Sequence, residues 1–382
     1  MKIILADLKA HLRFAPLSLT RPIGDIRVGM FTNYERWSIL LPEYQIGFHT
    51  ESYLSDEFEQ LEDGVIVNAC VIPNEDFVAA VVHLENDCRL VLNDITLAIH
   101  GNGDNAITFT GETPIIVNQR WDLLSVNEAA ILHDISLIKE SVSFQEIPKS
   151  ITVIGSKDAI YIEEGASLEA CTLNTTEGPI YISNGAEIME GSCIRGPFVM
   201  CENSVVKMGA KIYGATTIGP SCKVGGELSN VIFQGFSNKG HDGFLGNSYI
   251  GEWCNLGADT NVSNLKNNYG SVSTYCYEKE EQVKTDRQFL GLFMGDHSKT
   301  GINTMFNTGS VVGVSCNLYG AGFFPKNTPS FSWGEPSSLV PFRIEKATEY
   351  ANRMMERRSE KLSESEENIL VHLKDVYGLN NH

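Results

Sequence analysis

A six-residue repeat in the middle of the chain constrains the fold more than any other feature. A repeat of one inward aliphatic side chain with small turn residues is typical of a parallel β-helix, in which each repeat forms one face of a coil. The repeating positions are Ile162 and Leu168; Ile182, Ile188 and Ile194; Val206, Ile212, Ile218 and Val224; Ile250, Leu256 and Val262; and Met294, Thr300, Phe306, Val312 and Leu318. Between several of them stands a glycine, which takes turn conformations that a Cβ disfavours. The repeat predicts a β-helix over residues 150–335, which could be an enzyme or only a scaffold.

A polar stretch, residues 237–270, interrupts this repeat in the sequence. It holds side chains that donate, accept or carry a proton, namely His241, Asn255, Asn264, Lys266, Asn267 and Asn268. A purely structural coil needs only small turn residues there, so we interpret the stretch as an active site. The alternative is an irregular surface loop that is rich in Asn and Gly.

The first 145 residues predict an α/β domain. Short apolar runs, such as residues 3–5 and 65–67, alternate with polar or turn-rich segments, and a helix is expected over residues 121–138. Arg13 and Arg21 flank a proline-rich turn soon after the first strand, where an α/β sheet tends to place its ligand. They are candidate nucleotide-binding residues, and the alternative is that they pair with acidic neighbours at the surface.

Residues 336–382 predict a helical tail. Its first helix carries apolar residues at helical spacing, and a second is expected over residues 364–376. We expect both helices to pack on the β-helix or on neighbouring chains, with Arg353, Arg357 and Arg358 in solvent. The acidic residues of the helix over 121–138, Asp134 among them, are likewise expected on a solvated face.

Composition narrows the classes of partner and compartment. The chain has 29 Lys and Arg against 48 Asp and Glu, and this net charge of −19 disfavours nucleic acid or an anionic membrane. The N-terminal segment has neither the apolar length of a membrane span nor a signal-peptide cleavage site. The nine cysteines include no C-x-x-C pair, which is unlike a disulfide framework or a zinc site. We therefore expect a protein of the reducing cytoplasm.

Three motifs resemble a known family. KGHDGFLGNSYIG at residues 239–251 and NLGA at residues 255–258 are similar to the left-handed β-helix acetyltransferase domain of GlmU-type bifunctional enzymes. GDHSKTGIN at residues 295–303 is similar to GlmU-like sugar nucleotidyltransferases. The resemblance covers residues 150–335 and implies trimers whose sites lie between subunits.

The resemblance also implies roles for individual residues. His241 stands where the family has its general base, and a histidine has the pKa that proton removal near neutral pH requires. Asn264 joins it in the catalytic set, and Asn255 would contact the sugar phosphate. The backbone at Ala258 would meet acetyl-CoA, with nearby amides stabilising the oxyanion. The remaining implied substrate-binding residues are Lys266 and Lys284, whose charge would hold phosphate groups.

The N-terminal domain departs from the nucleotidyltransferase pattern. Residues 5–13 lack the glycines that let backbone amides approach a triphosphate, and Ile23 stands where a lysine is expected. If the domain is active it would use Mg²⁺, for which Asp94 or Asp104 is the candidate ligand. The predicted β-helix also departs from the family at one position. Phe244 replaces an aromatic hydroxyl three residues after the base.

The functional prediction is acetyl transfer from acetyl-CoA to an amino-sugar 1-phosphate such as glucosamine 1-phosphate. Coupled nucleotidyl transfer with UTP or another nucleoside triphosphate, giving a UDP-sugar, stays open as a second activity. Two alternatives remain from the sequence. One is a sugar-1-phosphate nucleotidyltransferase with a regulatory β-helix, and the other is a non-catalytic scaffold that binds a sugar nucleotide.

Overall fold

The computed structural model describes residues 2–379 and confirms the predicted fold class, an α/β domain followed by a left-handed parallel β-helix and a helical tail. Met1 and residues 380–382, the ends of the predicted first domain and tail, lie outside the described residues.

The N-terminal domain is built on one six-stranded mixed sheet. The strands of the whole domain are β1 (Lys2–Ala6), β2 (Gln45–His49), β3 (Val65–Asn68), β4 (Val71–Ile72), β5 (Cys88–Leu92), β6 (Ile95–His100), β7 (Asn105–Thr108) and β8 (Ile115–Ile116). Its helices are α1 (His11–Phe14), α2 (Asn33–Leu40), α3 (Glu75–Val82) and α4 (Asp122–Ile138). The sheet order is β2-β1-β3-β6-β5-β7, and β4 pairs separately with β8. The apolar runs at residues 3–5 and 65–67 thus form two adjacent parallel strands, β1 and β3.

Short parallel strands form the three faces of the β-helix, which is called the coil below. The domain-covered face contains Ile160–Ile162, Ile180–Ile182, Phe198–Met200, Thr216–Ile218, Leu292–Met294, Ser310–Val312 and Asn327–Thr328. The open face contains Thr152–Ile154, Thr172–Asn174, Cys193–Arg195 and Lys211–Tyr213. The cleft face contains Ser167–Leu168, Glu187–Ile188, Val205–Val206, Lys223–Val224, Asn238–Lys239, Lys299–Thr300, Asn317–Leu318 and Ser332–Glu335.

The remaining coil strands join these faces. Two longer strands, Glu227–Gly235 and Phe244–Glu252, pair across the corner between the open and domain-covered faces. Asn261–Val262 pairs with Met305–Phe306, and Ser338–Pro341 returns antiparallel beside Ser332–Glu335. Every repeating aliphatic residue from Ile162 to Leu318 that the sequence singled out, apart from the polar Thr300, belongs to one apolar core inside the coil.

The N-terminal domain packs on one face of the coil. The outward side chains of that face, including Val199, Thr217 and Tyr249, are almost completely buried. Tyr249 donates a hydrogen bond to the carbonyl of Arg27 at 2.8 Å, and Thr217 bonds to Asn127 of α4. These contacts fix the first domain to the coil through both apolar and polar groups.

The polar stretch does not interrupt the coil where the sequence predicted. Strands continue in register through Asn238–Lys239 and Phe244–Glu252 to Asn261–Val262. The chain leaves the coil after Val262 and returns at Leu292–Met294, and the excursion carries an antiparallel hairpin of Ser273–Cys276 and Glu281–Lys284. The Asn and Gly residues of the first half therefore serve as turns of a regular coil.

One predicted surface residue is buried. Asp134 on α4 was expected in solvent, but Asp134 and Arg36 are both fully buried, with Arg36 Nη2 at 2.7 Å from the carboxylate. The carboxylate also accepts hydrogen bonds from the amides of Met30 and Phe31. The prediction for Asp134 was wrong because α4 is enclosed between the sheet and the coil.

The tail folds back on the coil and on the first domain. It consists of α5 (Ile344–Met355), a short 3-10 turn (Glu356–Arg358) and α6 (Glu364–Tyr377). Ala347, Ala351 and Met355 of α5 share an apolar cluster with Trp253 of the coil and Leu54 of the first domain. Both predicted helices are confirmed, and the packing places α5 beside the cleft face.

Candidate active site

A cleft of about 700 Å³ lies between the cleft face of the coil and helix α5. The coil supplies its floor and the helix supplies one wall. The lining residues are Lys207, Lys223, Phe236, Asn238, Gly240, His241, Trp253, Asn255, Leu256, Gly257, Ala258, Lys299, Ile302, Arg353, Met354, Arg357 and Arg358.

The register of the coil aligns the polar residues of the floor. Lys223 pairs with Asn238, Asn238 with Asn255, and Asn255 with Lys299. Each of these residues comes directly before an inward residue, so all four side chains point out of the same face. Neighbouring parallel strands lie about 4.8 Å apart, which separates Lys223 from Lys299 by about 14 Å along the cleft.

The charge of the cleft is opposite to that of the whole protein. Six lining residues are lysine or arginine and none is Asp or Glu, although the chain has a net charge of −19. Burial lowers the pKa of Lys223, and the neighbouring charges of Arg358 and Lys207 lower it further. Burial also lowers the pKa of Arg358. These cations repel one another, so an anion bound between them would be stabilised.

Lys299 is the most enclosed lysine of the cleft. Its Nζ donates a hydrogen bond to the carbonyl of His297 at 2.9 Å, and burial lowers its pKa to about 8. Its positive charge is therefore only partly compensated within the protein, and a ligand phosphate would supply the missing partner.

Three of the predicted site residues line this cleft together. His241 is exposed in the turn that follows Lys239, Asn255 lies in the aligned row, and Ala258 follows Asn255 by three residues. The amide of Gly257 donates to the carbonyl of Thr300 at 3.1 Å, and the carbonyl of Ala258 accepts from Asn303 at 2.8 Å. The structure thus gathers a histidine, an amide side chain and coil backbone at one surface.

Three other predicted residues do not line the cleft. Asn264 Nδ2 donates to the side chain of Asn247 at 2.8 Å, and Lys266 Nζ donates to the carbonyl of Ser271. Lys284 is exposed on the hairpin of the excursion. They lie apart from this cleft because the chain leaves the coil after Val262, and their roles stay predictions.

The sequence reasoning missed the cations of the cleft. Arg353 and Arg357 are exposed, as expected, but α5 and the 3-10 turn after it place them at the wall of the cleft together with the half-buried Arg358. The sequence could have identified Lys223 and Lys299, because each stands directly before a residue of the six-residue repeat. Asn255 occupies the same position before Leu256. Lys207 follows such a residue, Val206.

Comparisons with known proteins identify relatives of both parts of the chain. Residues 3–143 match the family model described as sugar nucleotidyl transferase. Over 197 residues the chain is 32% identical to the bifunctional protein GlmU of Methanococcus aeolicus. This chain is GlmU-like. The match covers 52% of the chain but only 41% of that relative's own length.

A second relative of this GlmU-like protein is matched over more of its length. The bifunctional sugar-1-phosphate nucleotidylyltransferase/acetyltransferase of Sulfurisphaera tokodaii is 27% identical over 276 residues, which is 68% of each chain. Among solved structures, the Arabidopsis UDP-N-acetylglucosamine acyltransferase matches 60% of this chain and 90% of its own at 18% identity, with a TM-score of 0.25. No helix within residues 2–379 is long and apolar enough to span a membrane.

The candidate nucleotide site of the GlmU-like protein uses its arginines differently from the prediction. Arg21 is buried, with ion pairs to Asp25 at 2.9 Å, Glu252 at 2.8 Å and Asp296 at 2.5 Å. It therefore joins the first domain to the coil. The sequence alternative predicted pairing with acidic neighbours at the surface, and the structure shows this pairing in a buried position. Arg13 Nε is buried and has no hydrogen-bond partner among the described residues.

Neither of the alternative magnesium ligands lies in a cluster of metal-binding side chains among the described residues. Asp94 and Asp104 are both exposed, in two different turns of the first domain. Within residues 2–379, no group of three or more His, Cys, Asp or Glu side chains is placed to hold a metal ion. The described residues therefore do not fit a preformed protein site for Mg²⁺.

Proposed function

We propose that this GlmU-like protein transfers an acetyl group from acetyl-CoA to an amino-sugar 1-phosphate in the cleft beside α5. The observation that carries the proposal is the meeting, in one cleft, of an exposed histidine with six cationic side chains and no carboxylate. Both substrates carry phosphate groups, which Lys and Arg bind through charge-assisted hydrogen bonds. Relatives of this chain are described as bifunctional nucleotidylyltransferase/acetyltransferases, which supports the same reaction class.

His241 would act as the general base in this reaction. The amino nitrogen of the sugar attacks the thioester carbonyl carbon, a C–N bond forms, and His241 accepts the proton from nitrogen. The C–S bond then breaks, and the protonated imidazole returns the proton to the sulfur of CoA. The products are an amide and free CoA thiol. The exposed position of His241 at the edge of the cleft leaves its ring accessible to both substrates.

The cations would hold the phosphates at a distance from this chemistry. Lys223 and Lys299 are separated by three coil spacings, or about 14 Å, so a ligand with phosphates can lie along the row. Asn255 lies between them and can bind a sugar hydroxyl or phosphate oxygen. Arg357 and Arg358 approach from the opposite wall and can close on the same ligand.

The test is thiol release from acetyl-CoA with glucosamine 1-phosphate, comparing wild type with His241→Ala. Loss of a general base should lower kcat by about 10²–10⁴-fold. His49→Ala is a matched control, since His49 is also exposed but lies on β2, outside the cleft. Equal rates for wild type and His241→Ala, with the fold intact, would refute the proposal.

Nucleotidyl transfer by the N-terminal domain is a second candidate, favoured by the family match over residues 3–143. Its signature is magnesium-dependent release of pyrophosphate from UTP and a sugar 1-phosphate, lost in Arg13→Ala. Absence of pyrophosphate release with a panel of nucleoside triphosphates would leave the first domain as a structural partner of the coil.

The same proposal includes a cytoplasmic homotrimer, which the GlmU-type resemblance implies. The N-terminal domain already covers one face of the coil, so neighbouring copies would have to use the cleft face or the open face. Sedimentation equilibrium of the purified full chain tests the oligomeric state, and a monomer at working concentration would contradict it.

A further inference from the structure

One inward position of the coil is occupied by a lysine. The register of the cleft face stacks Lys239 directly on Val224, and the next coil places Leu256 over it. The preceding members of this stack are all aliphatic, namely Leu168, Ile188, Val206 and Val224. Lys239 is only 1% exposed, so its side chain lies in the interior of the coil.

The stack itself does not require a cation at this position. Burial lowers the pKa of Lys239 to about 8, which shows that the surroundings disfavour its charge. An apolar side chain of similar length would fill the same space without that cost. A role outside the core is therefore needed to explain the residue.

The ammonium group of Lys239 reaches the turn that carries His241. Nζ donates hydrogen bonds to the carbonyls of His241 at 2.8 Å, Asp242 at 3.2 Å and Gly225 at 3.4 Å. Within residues 2–379 no other donor bonds to the carbonyl of His241. The side chains of this turn, which runs from Gly240 to Gly243, give it little other support, because His241 and Asp242 are exposed.

The surrounding backbone explains why such an anchor is useful. A Cβ placed on Gly240 would meet no atom within 4 Å, so the start of the turn borders open space. Gly243 has a φ of +114°, a conformation that only glycine adopts readily. Neighbouring coils hold the second half of this turn, since the amide of Asp259 donates to the carbonyl of Asp242 at 3.0 Å and the amide of Glu227 donates to that of Gly243 at 3.3 Å. The bond from Lys239 holds the first half, at His241.

We infer that Lys239 is a positioning residue that holds the backbone of His241 in place from inside the coil. This inference rests on the proposed function, in which His241 is the general base. A base displaced by about 1 Å can lower the rate by as much as 10²-fold. Lys239 touches no reacting atom and acts through the carbonyl of His241.

The test is Lys239→Met, which keeps an unbranched stem of four heavy atoms and removes the ammonium group. We expect kcat for acetyl transfer to fall by about tenfold or more, with KM for acetyl-CoA within about threefold of wild type. The melting temperature should change little, because removal of a buried charge offsets the loss of its hydrogen bonds to three carbonyls. Leu168→Met is the matched control, since it changes the same stack far from the turn and should leave kcat unchanged.

A second readout does not depend on activity. Amide hydrogen exchange of residues 240–243 should become faster in Lys239→Met and stay unchanged in Leu168→Met. If wild type shows no turnover, the proposed function fails, and the exchange rates alone decide whether Lys239 anchors the turn. Unchanged exchange, unchanged kcat in an active enzyme, or a loss of melting temperature that parallels the loss of kcat would each overturn the inference.

Discussion

The enclosed lysine of the cleft predicts a pH dependence of ligand binding. Lys299 has a pKa of about 8 in the free protein because it is buried. A phosphate bound beside it favours the charged form and returns the pKa toward its ordinary value of 10.5. Binding therefore takes up a proton above pH 8, and affinity for an anionic ligand must fall as the pH rises through about 8.

The size of the effect follows from the two pKa values. If the bound pKa returns fully to 10.5, the affinity for the ligand falls by about 25-fold between about pH 7 and about pH 9.5. This factor corresponds to about 2 kcal/mol of binding free energy. A ligand phosphate that lies farther from Nζ would restore the pKa less and give a smaller factor.

Isothermal titration with desulfo-CoA measures this affinity without interference from the thiol of CoA. Wild type should lose about 25-fold in affinity over this pH range, and Lys299→Arg should lose little because an arginine stays charged throughout. Titration in two buffers of different ionisation enthalpy should reveal proton uptake at the higher pH. A change of less than about threefold in wild type, or an equal loss in Lys299→Arg, would refute the assignment of Lys299 to phosphate binding.

Two further predictions concern the cleft and the core. Gly240→Leu should weaken binding of desulfo-CoA by about tenfold or more with an unchanged melting temperature, because a Cβ at Gly240 meets no atom within 4 Å and the side chain enters the cleft. Gly257→Ala is its contrast, since a Cβ there would lie 2.5 Å from the backbone of Gly301 and should lower the melting temperature. Arg36→Met should lower the free energy of unfolding in urea by about 3–5 kcal/mol, because it leaves Asp134 charged and buried. Arg195→Ala, which removes an exposed pair with Glu177, should cost about 1 kcal/mol or less, and equal losses would contradict the argument.

The period of the repeat was sufficient to predict the coil. Inward residues must be apolar and corners must be small, so the constraint recurs in every repeat and is visible without alignment. The position of the excursion was not predictable from composition, since Asn and Gly suit both the corners of a regular coil and an irregular loop. The structure places the excursion after Val262 and keeps residues 237–262 within the coil.

The candidate site was predictable only in part. His241, Asn255 and Ala258 were found from their motifs and line one cleft, and their roles in catalysis stay predictions. The contribution of the wall arginines to the cleft was missed because the sequence of an amphipathic helix does not show which surface the helix packs beside. Asp134 was misjudged for a related reason, since burial of a charged residue depends on a partner that is distant in the sequence, here Arg36.

The alignment of Lys223, Asn238, Asn255 and Lys299 has a consequence for how ligand length is set. Each coil advances the chain along the axis of the β-helix by one strand spacing, about 4.8 Å, so successive residues of the row are separated by that distance. Insertion or removal of a whole coil between two members of the row would change their separation by that step and leave the local geometry of each unchanged. The number of coils between two residues of the row therefore sets their separation in steps of about 4.8 Å.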